Sequence, residues 1–231
     1  MNPARLSLLP WLLACALPAT AQDLASFEKQ VTYKTLANGL RVIVVEAKGA
    51  PVFSFSNRVM TGSDREVLGI TGLAHMFEHM AFKGTDVIGT TNYAAEKAAL
   101  AKVETAYAAY DTARRQPGRD DKKVADLEKA FKAAVAEADA FVVKNEFGEI
   151  VDREGGVGLN ASTNADETQY YYSLPANRFE LWAYLESERF LKPVMREFYK
   201  ERDVVNEERR MRTDSAPVGR LIEQFLAAAF T

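Results

Sequence analysis

Apolar positions alternate at period two in two separate stretches of this chain and recur at three-four spacing elsewhere. Val31 to Val45 reads as strand, turn, strand: Asn38-Gly39 is a tight-turn dipeptide, and Leu40 to Val45 is rich in β-branched residues. Val52 to Met60 reads as a further strand, with Phe53, Phe55, Asn57 and Val59 alternating onto one face. Gly62-Ser63-Asp64 breaks it. Gly69 to Phe82 then reads as a helix, with Thr71 as N-cap and Lys83-Gly84 closing it.

Tyr93 to about Arg115 and about Lys122 to Val143 read as two long helices joined around Pro117-Gly118. Leu100, Val103, Tyr107 and Tyr110 form one apolar seam, and Val124, Leu127, Phe131 and Val135 the other, which predicts an antiparallel helical hairpin inserted over 93–143. Such a hairpin is a projecting structural arm or an arm that docks a partner. The β pattern resumes after Gly155-Gly156-Val157-Gly158, through Leu159 to Thr163 and Thr168 to Leu174. Arg178 to Phe190, Glu197 to Met211 and Val218 to Phe230 read as helices. The last runs apolar to the end without a C-cap, so the sequence predicts a chain continuing past Thr231. The fold class is α+β, an antiparallel-rich β-sheet packed by helices.

Composition places the chain among globular proteins: 231 residues, 48% hydrophobic, 26% charged, net charge −3. That balance, with no dense basic patch, excludes a nucleic-acid partner and a polybasic membrane anchor. Met1 to Ala21 has the pattern of a secretory signal: Arg5, an apolar stretch from Leu6 to Leu17, then Ala19-Thr20-Ala21. The expected mature chain is 22–231, exported to the periplasm, with no transmembrane segment. The single cysteine, Cys15, lies within that leader, so the mature chain holds no disulfide. A lipoprotein reading of Leu12-Leu13-Ala14-Cys15, with Cys15 as lipid anchor, is the lesser alternative.

Only two histidines occur, His75 and His79, four residues apart on the helix expected over 69–82. At that spacing both imidazoles face one side and reach a single cation. Zinc held this way needs one further protein ligand and an open position, and Glu78, on the adjacent edge, stands where a general base belongs. An i,i+4 histidine pair is in other settings ordinary helix surface. Here Leu73, Met76, Phe77, Met80 and Phe82 surround it, which argues for a partly buried place where Glu78 needs a partner.

His75-x-x-Glu78-His79 is the inverted zinc motif, and its surroundings resemble the M16 (pitrilysin/insulinase-like) metallopeptidases. The resemblance spans nearly the whole mature chain. It includes Asn38-Gly39-Leu40, Gly72 to His75, Phe77 to Thr85, Asn160 to Thr163, Asp166-x-Thr168-x-Tyr170 and Glu201 to Glu208. It implies a third zinc ligand at Glu208 and an orienting carboxylate at Glu201. These lie seven residues apart and so share a helix face, while Glu207 points about 100° away. It further implies an exposed sheet edge at Asn160 and Ala161, to which an extended substrate adds as a strand; Gly155, Gly156 and Gly158 suit close backbone approach there. Unlike many relatives, this chain places the helical hairpin between the histidines and Glu208.

The resemblance therefore implies a zinc endopeptidase domain with one Zn²⁺ per chain, cutting peptides or unfolded polypeptide by metal-activated water with Glu78 as base. It also implies a homologous C-terminal domain or partner subunit that completes a closed chamber, without which the chain alone is expected to cleave little. The alternatives are a non-catalytic peptide-binding or assembly subunit, and a zinc hydrolase of non-peptide amides.

Overall fold

The structure is a computed structural model that describes residues 24–67 and 69–230. The leader expected over 1–21, Cys15 included, lies outside these residues. The chain forms two compact units, one up to Ala50 and one from Pro51 onward.

In the first unit a short helix, α1 (Leu24–Glu28), precedes the hairpin of β1 (Val31–Thr35) and β2 (Arg41–Val45). The strands are antiparallel, with Val31 opposite Val45 and Thr35 opposite Arg41. The expected turn closes them: Leu36 N–H donates to Leu40 O (2.8 Å) and Leu40 N–H to Asn38 Oδ1 (3.1 Å).

The second unit runs β3 (Val52–Val59), α2 (Leu73–Met80), α3 (Tyr93–Arg115), α4 (Asp121–Asp139), α5 (Glu146–Arg153), β4 (Val157–Thr163), β5 (Thr168–Pro175), α6 (Phe179–Leu191), α7 (Phe198–Arg209) and α8 (Pro217–Ala229). Its sheet is antiparallel in the order β3-β5-β4, so β4 is an edge strand of the sheet. Alternation does what the sequence pattern predicts: in β5, Tyr170, Tyr172 and Leu174 are buried, and their neighbours are half-exposed. They pack with Phe147 and Val151 of α5 and Leu185 of α6, while Phe53 and Phe55 of β3 set their rings against Trp182. Fully burying a side chain such as Phe147 is worth about 1.5–3 kcal/mol, and this layer makes the platform on which α2 rests.

Three expectations need correction. Helix α2 starts at Leu73 and not at Gly69, and Thr71 does not cap it: Gly72 holds the N-cap position without a side-chain bond. The carboxylate of Glu66 caps the helix instead, accepting from Gly72 N–H and Ala74 N–H, both at 2.7 Å. A negative group at a helix N-terminus satisfies orphan donors and the helix dipole together. The second long helix ends at Asp139, short of Val143. Helix α5, which the residue pattern did not suggest, occupies part of the stretch after it. It explains one of the glycines before β4: a Cβ on Gly156 would lie 2.3 Å from Val151 Cγ1 of α5. That close approach serves internal packing.

Of the expected seam residues, Leu100, Val103, Tyr107, Tyr110, Phe131 and Val135 meet between α3 and α4. Asn92 caps α3 by accepting from Ala95 N–H, and Asp120 caps α4. Val103 and Phe131 are buried at their contact, with Tyr107, Tyr110 and Val135 around them.

Past α2 the chain is stapled to the start of α7 by Arg196, which is 1% exposed. Its guanidinium donates to the Glu96 carboxylate (2.7 and 3.1 Å) and to the carbonyls of Lys83 (2.6 Å), Thr85 (2.6 Å) and Ile88 (2.7 Å). Gly84, at φ 90°, makes this turn feasible, since a Cβ there would sit 2.2 Å from Ile88 O.

Candidate metal centre

Helix α2 presents His75 and His79 one turn apart, their rings edge to face with centroids 4.7 Å apart. The two Nε2 atoms are 3.1 Å from each other. Glu208, one residue before the end of α7, brings its carboxylate to them: Oε2 lies 3.6 Å from His75 Nε2 and Oε1 3.9 Å from His79 Nε2. Around a tetrahedral zinc with bonds near 2.0–2.1 Å, ligand atoms stand about 3.3 Å apart. Two imidazole nitrogens and a carboxylate at 3.1–3.9 Å therefore fit such an ion in both spacing and donor chemistry.

The tautomer of His79 suits this role. Its Nδ1 is 2.8 Å from Glu201 Oε1, and Lys83 Nζ is 2.6 Å from Glu201 Oε2. Burial alone would raise the Glu201 carboxyl, but the hydrogen bonds from Lys83 and His79 outweigh it and hold it below the ordinary carboxylate range. An ionised carboxylate only accepts, so His79 Nδ1 carries the proton and Nε2 keeps its lone pair for a metal. Glu207, one residue before Glu208, turns away and pairs with Arg210 (2.5 and 2.8 Å).

Glu78 is buried on the same helix, and one of its oxygens accepts from the Thr163 hydroxyl at the end of β4. Thr163 in turn contacts Thr168 Oγ1 (3.3 Å), which donates to Thr61 O (3.1 Å). Asn160 and Ala161 lie on the same edge strand, Ala161 N–H donating to Asn160 Oδ1 (2.9 Å). His75, Glu78, His79, Lys83, Thr163, Glu201 and Glu208, with Asn160 and Ala161, line one cleft of about 1100 Å³.

The structure thus brings together His75, His79, Glu208, Glu201 and Glu78, with Asn160 and Ala161 on the wall of the same cleft. Three contributors had no role at the metal centre in the sequence reading. Lys83 and Thr163 stood inside quoted motifs, and only their partners reveal what they do. Arg212, one turn after Glu208, lies 3.4 Å from Glu208 Oε2, and no sequence signal singles it out.

The chain is similar to known proteins. Residues 41–114 match the family described as Insulinase (Peptidase family M16). The chain is 30% identical over 199 residues to the zinc protease PqqE of Helicobacter pylori, a match covering 85% of this chain and 32% of that protein. It is also similar to a crystal structure of a protease from Helicobacter pylori, at 29% identity and a TM-score of 0.55, over 83% of this chain and 33% of that one. The chain spans about a third of the length of the relatives it matches.

Proposed function

Taking as premise that the chain is an M16-like zinc-peptidase domain, we propose that it hydrolyses internal peptide bonds of extended peptides at the His75–His79–Glu208 centre. The observation that carries this reading is the triangle of donor atoms at 3.1, 3.6 and 3.9 Å, with a buried Glu78 on the same helix. Zinc, when bound, supplies Lewis acidity toward the scissile carbonyl and makes a water molecule easier to deprotonate.

The chain's own residues do the rest. Glu201 fixes the ring and tautomer of His79, and Lys83 fixes Glu201. Thr163 holds one oxygen of Glu78, so the carboxylate offers the other to take a proton from water and pass it to the leaving amine. The β4 edge at Asn160 and Ala161 takes the substrate backbone as an added strand, which gives affinity without a strict sequence requirement. Export to the periplasm, through a leader over 1–21, and completion of the chamber by a homologous domain or subunit belong to the same proposal. Part of its support is that the matched relatives are roughly two and a half times as long.

The test is Glu78→Gln in the whole chain, assayed for zinc content and for cleavage of a panel of internally quenched peptides. Retained zinc with hydrolysis reduced at least about 100-fold is the expected result. Unchanged hydrolysis would refute Glu78 as the base.

A further inference from the structure

The α3–α4 hairpin touches neither imidazole, yet its aromatic side chains end on the helix that carries Glu201 and Glu208. Tyr199 of α7 packs its ring against Tyr107 and Phe131, with centroids 4.2 and 5.1 Å apart, and donates its hydroxyl to Glu104 (2.9 Å). Arg202 donates to the Tyr107 hydroxyl (3.1 Å) and lies over the rings of Tyr107 and Tyr199, 5.7 and 5.4 Å from their centroids. Lys200 pairs with Asp139 at 2.6 Å.

The placement around α7 is what matters. At about 100° per residue, Tyr199 and Glu208, nine residues apart, stand about 180° from each other. One side of α7 faces α2 with its carboxylates, and the opposite side rests on the hairpin. Helix α7 contains no fully buried residue of its own, and Tyr199 is the residue by which it packs against the hairpin's apolar core. It is held at its entry, where Arg196 staples the preceding segment, on its front by the bonds of Glu201 to His79 and Lys83, and along its back, where the hairpin presents Tyr107 and Phe131.

We propose that the inserted hairpin is the seat that positions Glu208 against the two imidazoles, with Phe131 as the positioning residue at its centre. Phe131 is 9% exposed, stacks on Tyr110 and meets both Tyr107 and Tyr199. Truncating it removes the back support of α7 and leaves every metal-binding group intact. The inference rests on the zinc site proposed above, and it concerns only how that site is held.

The test is a double-mutant cycle on zinc affinity, measured by competition with a chromogenic chelator in the whole chain. Its four proteins are the parent, Phe131→Ala, Glu208→Gln and the double variant. Residues that orient metal ligands typically change affinity 10–100-fold, so Phe131→Ala is expected to weaken binding about tenfold in the parent and by clearly less once Glu208 is replaced, the remainder acting through Glu201 on the same helix. Circular dichroism checks folding, and if Phe131→Ala loses helix, Phe131→Leu is run through the same cycle with the same expected pattern. Unchanged affinity in the folded variant, or an equal loss with and without Glu208, overturns the inference. A parent chain that binds no zinc overturns the underlying site instead, before the cycle begins.

Discussion

His79 and Glu201 meet through a single contact, Nδ1 to Oε1 at 2.8 Å, and that contact determines which nitrogen of His79 is available. With Nδ1 protonated against an ionised carboxylate, Nε2 faces His75 and Glu208 as a lone pair. The two helices α2 and α7 are therefore joined at the centre by an orienting bond, and not only by whatever ion they share.

Glu201→Gln should weaken zinc binding by about 10–100-fold while leaving all three ligands in place. Chelator competition measures it, beside Glu208→Gln as the larger loss. Equal affinity in Glu201→Gln and parent would mean that the bond to His79 contributes nothing to the metal site.

The second expectation concerns stability. Arg196 and Glu96 are 1% and 0% exposed, and the arginine makes five hydrogen bonds. Arg196→Met leaves a buried carboxylate and three carbonyls without their donor, which should cost about 3–5 kcal/mol in urea unfolding. Adding Glu96→Leu should recover part of that loss, because the uncompensated charge disappears with it. A cost under about 1 kcal/mol for Arg196→Met would show that the staple is not what holds the turn after α2.

Alkaline pH provides the third. Burial pushes the Tyr170 phenol up to about 12 and Tyr172 higher still, the latter with Glu186 alongside. Phenols with raised values in the folded chain keep protons that the unfolded chain has released. Their contribution is complete below the ordinary value of about 10 and is lost as pH rises through 12. The urea midpoint should fall between about pH 10 and pH 12, and Tyr170→Phe should lessen the fall. A midpoint that rises over that interval would contradict the assignment.

Much of this was legible in the residue pattern, and the rest was hidden for identifiable reasons. Helix α3 has the bounds that its three-four seam predicts, because Asn92 caps it and its apolar stripe is long. The pairing of His75 with His79 follows from helix spacing, whereas Glu208 came into the expected ligand set through the resemblance to the M16 metallopeptidases. Helix α5 escaped notice because it is eight residues long, carries Gly148 and begins beside Asn145 in a left-handed conformation (φ 53°). Thr71 looked like a cap, but the glutamate that does cap α2 lies six residues before Gly72, a distance that capping patterns do not span. Lys83, Thr163 and Arg196 act through partners 118, 85 and 100 residues away, measured to Glu201, Glu78 and Glu96. No local pattern reports such pairings. The seat under α7 is hidden for the same reason: Tyr107 and Phe131 fit a two-helix seam, and nothing local says that Tyr199 joins them.

The most direct test of the central claim is the zinc content of the purified 22–231 chain, measured beside Glu208→Gln after dialysis. The account predicts close to one zinc per folded parent chain and a sharp fall in the variant. A folded parent without zinc, or a variant that holds it as tightly, would contradict the three-ligand centre.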